Sequence, residues 1–389
     1  MTNAREIELG ELMPQEGRSS VNPADYPGEL FELLSIPAYD RGSAEIALGS
    51  EIGSTKQAVQ PGDVLLSKIV PHIRRAWVVE PSAGSRQIAS SEWIVFRSKE
   101  ADARYLRHFL VSDDFHRQFM QTVSGVGGSL LRARPKYVAK IKIPLPPLEE
   151  QRRIAAILDK AGNLRQHANG QLWKAKGLLA SLFVETIGEP LQNPHAWSTL
   201  PLAEAVQAGT DVTYGIVQAG EEFPGGIPYI RTGDIVDGEI DVSALRHTDP
   251  AIASRFTRST VRAGEIVMSI RATVGTTAVV PACLDGANLT QGTARVAPGE
   301  NINGVYLLQY LRMPSTQAWI QRQVKGATFR EITLARLREL PVLIPPIEIQ
   351  DKFAAKAKIA NSAIDSSKAL LSRTKGLCVS LSDQLLSQK

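Results

Sequence analysis

The sequence predicts an α/β protein. Two mixed α/β domains are separated by a long antiparallel two-helix coiled coil, and the whole is written as a pseudo-twofold internal repeat. Three observations predict this. A set of short motifs recurs about 200 residues apart in a chain of 389 residues. Each copy ends in a Pro-Pro pair followed by a long stretch of helical periodicity. The segments before each Pro-Pro hold short β-rich runs and one helical region in the same order. The expected boundaries are a first domain at 1–145, a central helix at 146–189, a second domain at 190–345 and a C-terminal helix at 346–389.

An internal repeat of this length marks a doubled architecture. IPLPP at 143–147 matches VLIPP at 342–346, and GGSLLR at 127–132 stands opposite GATFRE at 326–331, both 199 residues apart. PGDVLLSKI at 61–69 matches AGEIVMSIR at 263–271 with a spacing of 202, a drift that one small loop insertion produces.

In the first domain the expected strands lie in DVLLSKI (63–69), AWVV (76–79) and EWIVFR (92–97), and one helical stretch spans 101–122. In the second domain IPYIRT (227–232) and EIVMSI (265–270) read as strands and 301–324 as the helical stretch. Gly, Pro, Asp and Asn bound these runs, as turn chemistry requires.

Proline is tolerated at a helix start but not in its interior, so each Pro-Pro is a rigid lead into a helix. The expected seam of the first is Ile154, Leu158, Ala161, Leu172, Ala175, Leu179 and Leu182, with Arg165 and Ala168 in register. That of the second is Phe353, Ala357, Ala360, Ile364, Leu371, Cys378, Leu381 and Leu385, with Ser367 and Thr374 in register. Alternating four- and three-residue steps are a coiled-coil signal. Helices of this length run roughly 50–60 Å and cannot bury a stripe alone, so each is expected to pair with the other. The Gly-Glu-Pro turn near Gly188 favours an antiparallel pair, with the domains at opposite ends. The alternative is that each helix packs on its own domain. Trp173 is expected either to pack or to meet a partner.

Composition excludes several classes. Hydrophobic residues are 43% and charged residues 22%, which is ordinary for a globular chain and rules out disorder and collagen-like fibres. Cys283 and Cys378 are too few for a disulfide framework or a zinc cluster, and their apolar neighbours predict buried thiols in a reducing compartment. No apolar leader and no spanning segment is read, so a soluble cytoplasmic protein without membrane partners is expected. The net charge of +4 is spread thinly. Residues 1–147 hold 18 basic and 17 acidic side chains, 148–188 hold 6 and 4, 189–346 hold 13 and 15, and 347–389 hold 7 and 4. A nonspecific DNA coat is normally more basic.

No P-loop, dinucleotide fingerprint, HExxH, CxxC or GxSxG occurs, and His72, His108, His116, His167, His195 and His247 show no metal-ligand spacing. His108 and His116 read as surface residues of one helix, and Asp63 with Lys68 as turn chemistry before a strand. No catalytic, cofactor-binding or metal residue is expected in this chain.

With these features in place, the chain resembles the specificity subunit of type I restriction–modification systems. The resemblance rests on IPLPPLEEQRRIAAIL (143–158) and VLIPPIEIQDKFAAKA (342–357), on PGDVLLSK (61–68) and AGEIVMSIR, on GIPYIRTGDI (226–235), and on the Gly turns at 125–128 and 326–327. The second copy departs from the family's usual LxEQ-like run. The resemblance implies a noncatalytic subunit. Each domain is a target-recognition domain reading half of a split, asymmetric DNA sequence, and the helices set the gap. It implies double-stranded DNA, two methyltransferase subunits and up to two restriction/translocase subunits as partners. S-adenosylmethionine, ATP and magnesium would belong to those partners. The alternative is a scaffold subunit of another DNA-modification or defence complex.

Base reading needs fork donors or amides, and phosphate reading needs cations or hydroxyls. In the first domain these criteria favour Lys68, His72, Arg74 and Arg75 after the DVLLSK strand, and Ser35, Tyr39 and Arg41 after ELLSIP. In the second they favour Arg271 and Thr273, then Arg231, Thr232 and Asp234, then Thr213 and Tyr214, then Asn288 and Gln291, with Thr290 beside them.

Overall fold

The computed structural model describes residues 4–14, 20–82, 84–125, 131–326 and 330–386. Two compact units emerge: Met1–Asn169 together with Ala369–Lys389, and Gly170–Lys368. Helices are named α1 to α10 along the chain, and strands are given by their residues.

In the first unit a five-stranded sheet has the spatial order Ser20–Val21, Lys56–Ala58, Arg86–Ala89, Leu30–Leu34, Glu45–Leu48. A three-stranded antiparallel sheet places Val64–Ser67 between Ala76–Val78 and Trp93–Phe96. Its helices are α1 (Ile36–Arg41), α2 (Ala103–Leu110), α3 (Asp113–Met120), α4 (Pro135–Val138) and the start of α5 (Leu148–Ile187). The expected 101–122 helix is two helices. Ser112 accepts a hydrogen bond from the Phe115 amide and caps a new start.

The second unit repeats the plan. Thr213–Tyr214, Thr293–Val296, Ile266–Ser269 and Thr277–Val279 form one sheet in that order; Arg246–Thr248, Ile227–Ile230 and Asn288–Leu289 form another. Its helices are the end of α5, α6 (Pro250–Ala253), α7 (Gly304–Arg312), α8 (Pro314–Gln323), α9 (Leu334–Arg338) and the first half of α10 (Ile347–Leu386). Here Pro314 opens the new helix and divides the expected 301–324 stretch.

Before each long helix the chain pairs back on its own beginning. Lys142–Leu145 is antiparallel to Arg5–Glu8, and Pro341–Ile344 to Ser198–Pro201. Helices α5 and α10 begin directly after Pro147 and Pro346, as the sequence requires.

Within each unit α5 and α10 meet antiparallel. In the first, Ile154, Ala155 and Leu158 of α5 share a core with Leu386 of α10, and Leu381 and Leu385 pack against it. In the second, Leu179, Phe183 and Ile187 share a core with Phe353, Ala357, Ala360 and Ile364, against which Leu172, Ala175 and Leu182 pack. The Phe183 ring stands edge-on to Phe353 at 5.1 Å and stacks on Tyr306 at 5.7 Å. The helices therefore pair with each other and also pack on the globular parts, so the two alternatives posed by the sequence both hold. Ala161, Ala168 and Thr374 are buried, Leu371 and Cys378 are half-buried, and Arg165 is exposed.

Two side chains depart from expectation, and Trp173 follows one of its two expected courses. Cys283 is exposed, because it sits in a short turn, Ala282–Leu284, that buries only Leu284. Trp173 is 77% exposed on α5 and does not pack. His108 is not a free surface residue but is tucked against α5, hydrogen-bonded to Asp159 at 2.7 Å. The expected Gly turns lie partly outside the described residues; Gly125 and Gly326, which are described, have φ of 126° and 87°.

Candidate nucleic-acid interface

The strand-to-loop transition after Val64–Ser67 sets the geometry of the main candidate loop. Ser67 donates its hydroxyl to the Ile69 carbonyl, Val70 then takes a left-handed φ of 46°, and its amide reaches Leu131 O. The second unit repeats this with other residues. Ser269 donates to Arg271 O, Ala272 has φ 57°, and its amide reaches Arg330 O. A non-glycine residue with positive φ is costly, above all a β-branched one like Val70. Both loops are thus held in one strained shape by hydrogen bonds at fixed positions, while the side chains they present differ.

In the first unit Lys68 lies 3.9 Å from Glu92, and Arg132 approaches the same carboxylate at 3.5 Å. His72 is exposed. Arg74 is partly exposed, pairs with Asp113 at 2.5 Å and donates to Val111 O. Arg75 is different: it is buried, and its fork is closed on Asp40 at 2.7 and 2.8 Å. That guanidinium holds the Asp40 carboxyl below its ordinary pKa. Arg75 is therefore a brace that ties α1 to the loop rather than an outward-facing donor. Ser35 caps α1 through the Ala38 amide, Tyr39 packs edge-on to Trp77 and Trp93, and exposed Arg41 pairs with Glu45. The two candidate loops of this unit are brought together through Arg75–Asp40 and Tyr39–Trp77.

In the second unit the four candidate segments are laced together. Thr232 donates to Gly292 O, Gly215 N to Thr290 O, and Ile270 N to Gly292 O. Arg271 is exposed and pairs with Glu331 at 2.9 Å, while Thr273 and Tyr214 are exposed. Thr213 and Gln291 are half-buried. Arg231 and Asp234 form a closed pair: Asp234 is buried, accepts the Arg231 amide and clamps its guanidinium at 2.6 Å. Asn288 is 1% exposed, accepts from Ser259 Oγ and the Leu289 amide, and donates to Phe256 O. These three are committed inside the unit. The outward set is Arg41, His72, Arg74, Arg271, Thr273 and Tyr214, with Lys68 half-buried beside Glu92.

One cationic segment escaped the sequence reading. Arg134 and Lys136 stand 5.8 and 5.0 Å from the ring of exposed Tyr137, and together they pull its hydroxyl below the ordinary tyrosine pKa, Lys136 foremost. The signal was present as RARPKY at 132–137, alternating cations around a proline and a tyrosine. Among the described residues no three His, Cys, Asp or Glu side chains stand together to hold a metal, and no helix is long and apolar enough to cross a membrane.

Comparison with known proteins adds to this geometry. The profile of the type I restriction modification DNA specificity domain matches residues 34–172 and again 212–371. The EcoBI specificity subunit of Escherichia coli is 27% identical over 248 residues, covering 58% of this chain and 52% of the relative. A putative MjaX specificity subunit of Methanocaldococcus jannaschii is 27% identical over 242 residues, covering 58% and 53%. The matches thus span about half the length of these curated relatives. A solved chain from work on complex assembly and conformational transition of the type I R-M system superposes with TM-score 0.56 at 22% identity, covering 98% of this chain and 97% of that one. The S subunit of a type I system from M. genitalium gives 0.56 at 11% identity, covering 100% and 97%. The two superpositions establish a shared fold, and the doubled profile match, which falls on the two copies of the sequence repeat, establishes that the chain belongs to the type I restriction modification DNA specificity family.

Proposed function

We propose that this chain is the noncatalytic DNA-reading subunit of a type I restriction–modification complex. Residues 1–145 read one part of a two-part asymmetric target and residues 190–345 the other, and the paired helices 146–189 and 346–389 set the gap. The observation that carries this reading is the duplicated loop. One backbone shape, pinned by Ser67 and Ser269 and bent at Val70 and Ala272, presents Lys68, His72 and Arg74 in one unit and Arg271 and Thr273 in the other. An identical frame with unlike side chains is what two unlike half-sites demand.

The thin net charge fits a subunit that binds DNA with help. Two methyltransferase subunits dock on it, and in the full complex up to two restriction/translocase subunits join. S-adenosylmethionine, ATP and magnesium act on those partners, and the target adenine is flipped into the methyltransferase. A cytoplasmic setting follows from that role. The test is to co-express the chain with its methyltransferase and measure protection of DNA against cleavage. Protection confined to one two-part sequence supports the reading; protection by the methyltransferase alone, with the same sequence preference, overturns it.

A further inference from the structure

Each unit has a groove bounded by an edge strand, a helix of the globular part and the long helices. In the first unit it encloses about 980 Å³ and is lined by Trp77, Arg104, Arg107, His108, Asp159, Arg165 and Lys375, among others. In the second it encloses about 740 Å³. The two correspond position by position. The helix caps Asp102 and Asn303 set Arg107 against Leu308 and His108 against Gln309, and Gln151 and Gln350 set Arg165 against Ile364. Where the first groove carries Arg107, His108 and Arg165, the second carries the uncharged Leu308, Gln309 and Ile364.

The second groove also has something the first lacks. A hairpin of its own chain, Ile235–Val236 with Glu239–Ile240, reaches into it with an acidic tip. Lys368 of α10 pairs with Glu239 and donates to Asp237 O, and Arg312 of α7 donates to Gly238 O at 2.9 Å. Arg312 also covers the edge strand, donating to Thr277 O and Oγ1. In the first unit Val111 stands at the Arg312 position, and α2 packs against the equivalent outer strand, Ala76–Val78. Asp159 alone serves Arg104, Arg107 and His108, at 3.5, 2.9 and 2.7 Å. Arg165 and Lys375 are exposed and have no ion-pair partner among the described residues. Unmatched cations lining a groove suit an acidic peptide, which neutralises the charges.

We propose that the groove of the first unit is a docking site for an acidic segment of a partner protein, equivalent to the acidic hairpin tip that the second unit supplies from its own chain. This rests on the reading that the chain assembles with partner subunits. It also makes the docking one-sided, because in the second groove the acidic tip already engages Lys368 and Arg312.

The experiment measures binding of a fluorescein-labelled poly-glutamate peptide to the full chain by anisotropy, beside a random-sequence DNA duplex. Arg165→Gln with Lys375→Gln changes two exposed side chains and leaves the core untouched. The pair of substitutions is expected to weaken peptide binding about tenfold and leave duplex binding unchanged. Lys176→Gln, the counterpart of Lys375 in the second unit, is expected to change neither. Unchanged peptide affinity in the double variant overturns the proposal, as does an equal loss with K176Q. A larger loss for the duplex also overturns it, and assigns the groove to the DNA backbone. The peptide assay needs no partner subunit, so its failure is separate from failure of the methyltransferase to copurify.

Discussion

Gln151 and Gln350, 199 residues apart, hold their helices by the same three hydrogen bonds. Gln151 accepts the Asp102 amide at 2.7 Å and donates to Glu100 O and Pro146 O at 3.0 and 2.8 Å. Gln350 accepts the Asn303 amide at 2.9 Å and donates to Asn301 O and Pro345 O at 3.1 and 2.8 Å. They are 1% and 0% exposed, so water cannot replace what they supply. Each locks the first turn of a long helix to the capping turn of α2 or α7. The departure of IEIQ from the usual motif is therefore harmless, because its glutamine is kept. Substituting Gln151 or Gln350 by Leu strands one buried and two part-buried backbone groups and is expected to cost about 2–4 kcal/mol. Urea unfolding followed by circular dichroism checks this.

A second pair of equivalents reaches one end by different routes. Asp63 is fully buried and forms a two-pronged pair with Arg97 at 2.7 and 2.6 Å. Glu265, at the matching turn, pairs with Arg295 at 2.8 and 2.5 Å. Each carboxylate also caps its own turn, accepting the amide of Gln60 or Arg262. Removing the arginine leaves a buried charge without a partner. Arg97→Ala and Arg295→Ala are each expected to cost about 3–5 kcal/mol, read from chemical denaturation.

His108 makes the first unit sensitive to acid. Burial and the neighbouring Arg107 push its imidazole below the ordinary pKa, against the opposing hydrogen bond to Asp159; Arg104 adds to the lowering. The folded unit therefore favours neutral His108. Its contribution to stability is in place above the unfolded value of about 6.5 and is lost as pH falls below it toward the folded value. Melting temperature measured against pH should fall through this window, and the fall should flatten in His108→Gln.

The outward and the committed candidates should separate in the assembled complex. Arg74→Gln is expected to lower the slope of log affinity against log salt by about one, as for loss of one phosphate contact. Asn288→Ala is expected to lower stability by about 1–3 kcal/mol while leaving the preferred DNA sequence unchanged. Fluorescence binding titrations at several salt concentrations, with thermal melts alongside, distinguish the two.

Much of the fold was legible because it is written twice. Pro147 and Pro346 marked both helix starts, and Ile154, Leu158, Phe353 and Ala357 marked the faces that became buried. Helix breaks were not legible from periodicity, because the cap at Ser112 and the start at Pro314 interrupt stretches whose apolar spacing continues. Side-chain fate was least legible. Arg74 and Arg75 are neighbours of one type, yet Asp40, 35 residues away, captures only the second. Asn288 looked like an amide reader until Ser259 and Phe256 enclosed it. Such partners are distant in sequence, so residue type alone could not sort readers from braces.

In the proposed function one chain reads two unlike half-sites at a fixed separation. The most direct measurement is a genome-wide map of methylated adenines in cells carrying this chain and its methyltransferase. Methylation is expected at a single motif of two unlike parts with a constant gap. Methylation at one uninterrupted motif, or at paired parts whose gap varies, would contradict it.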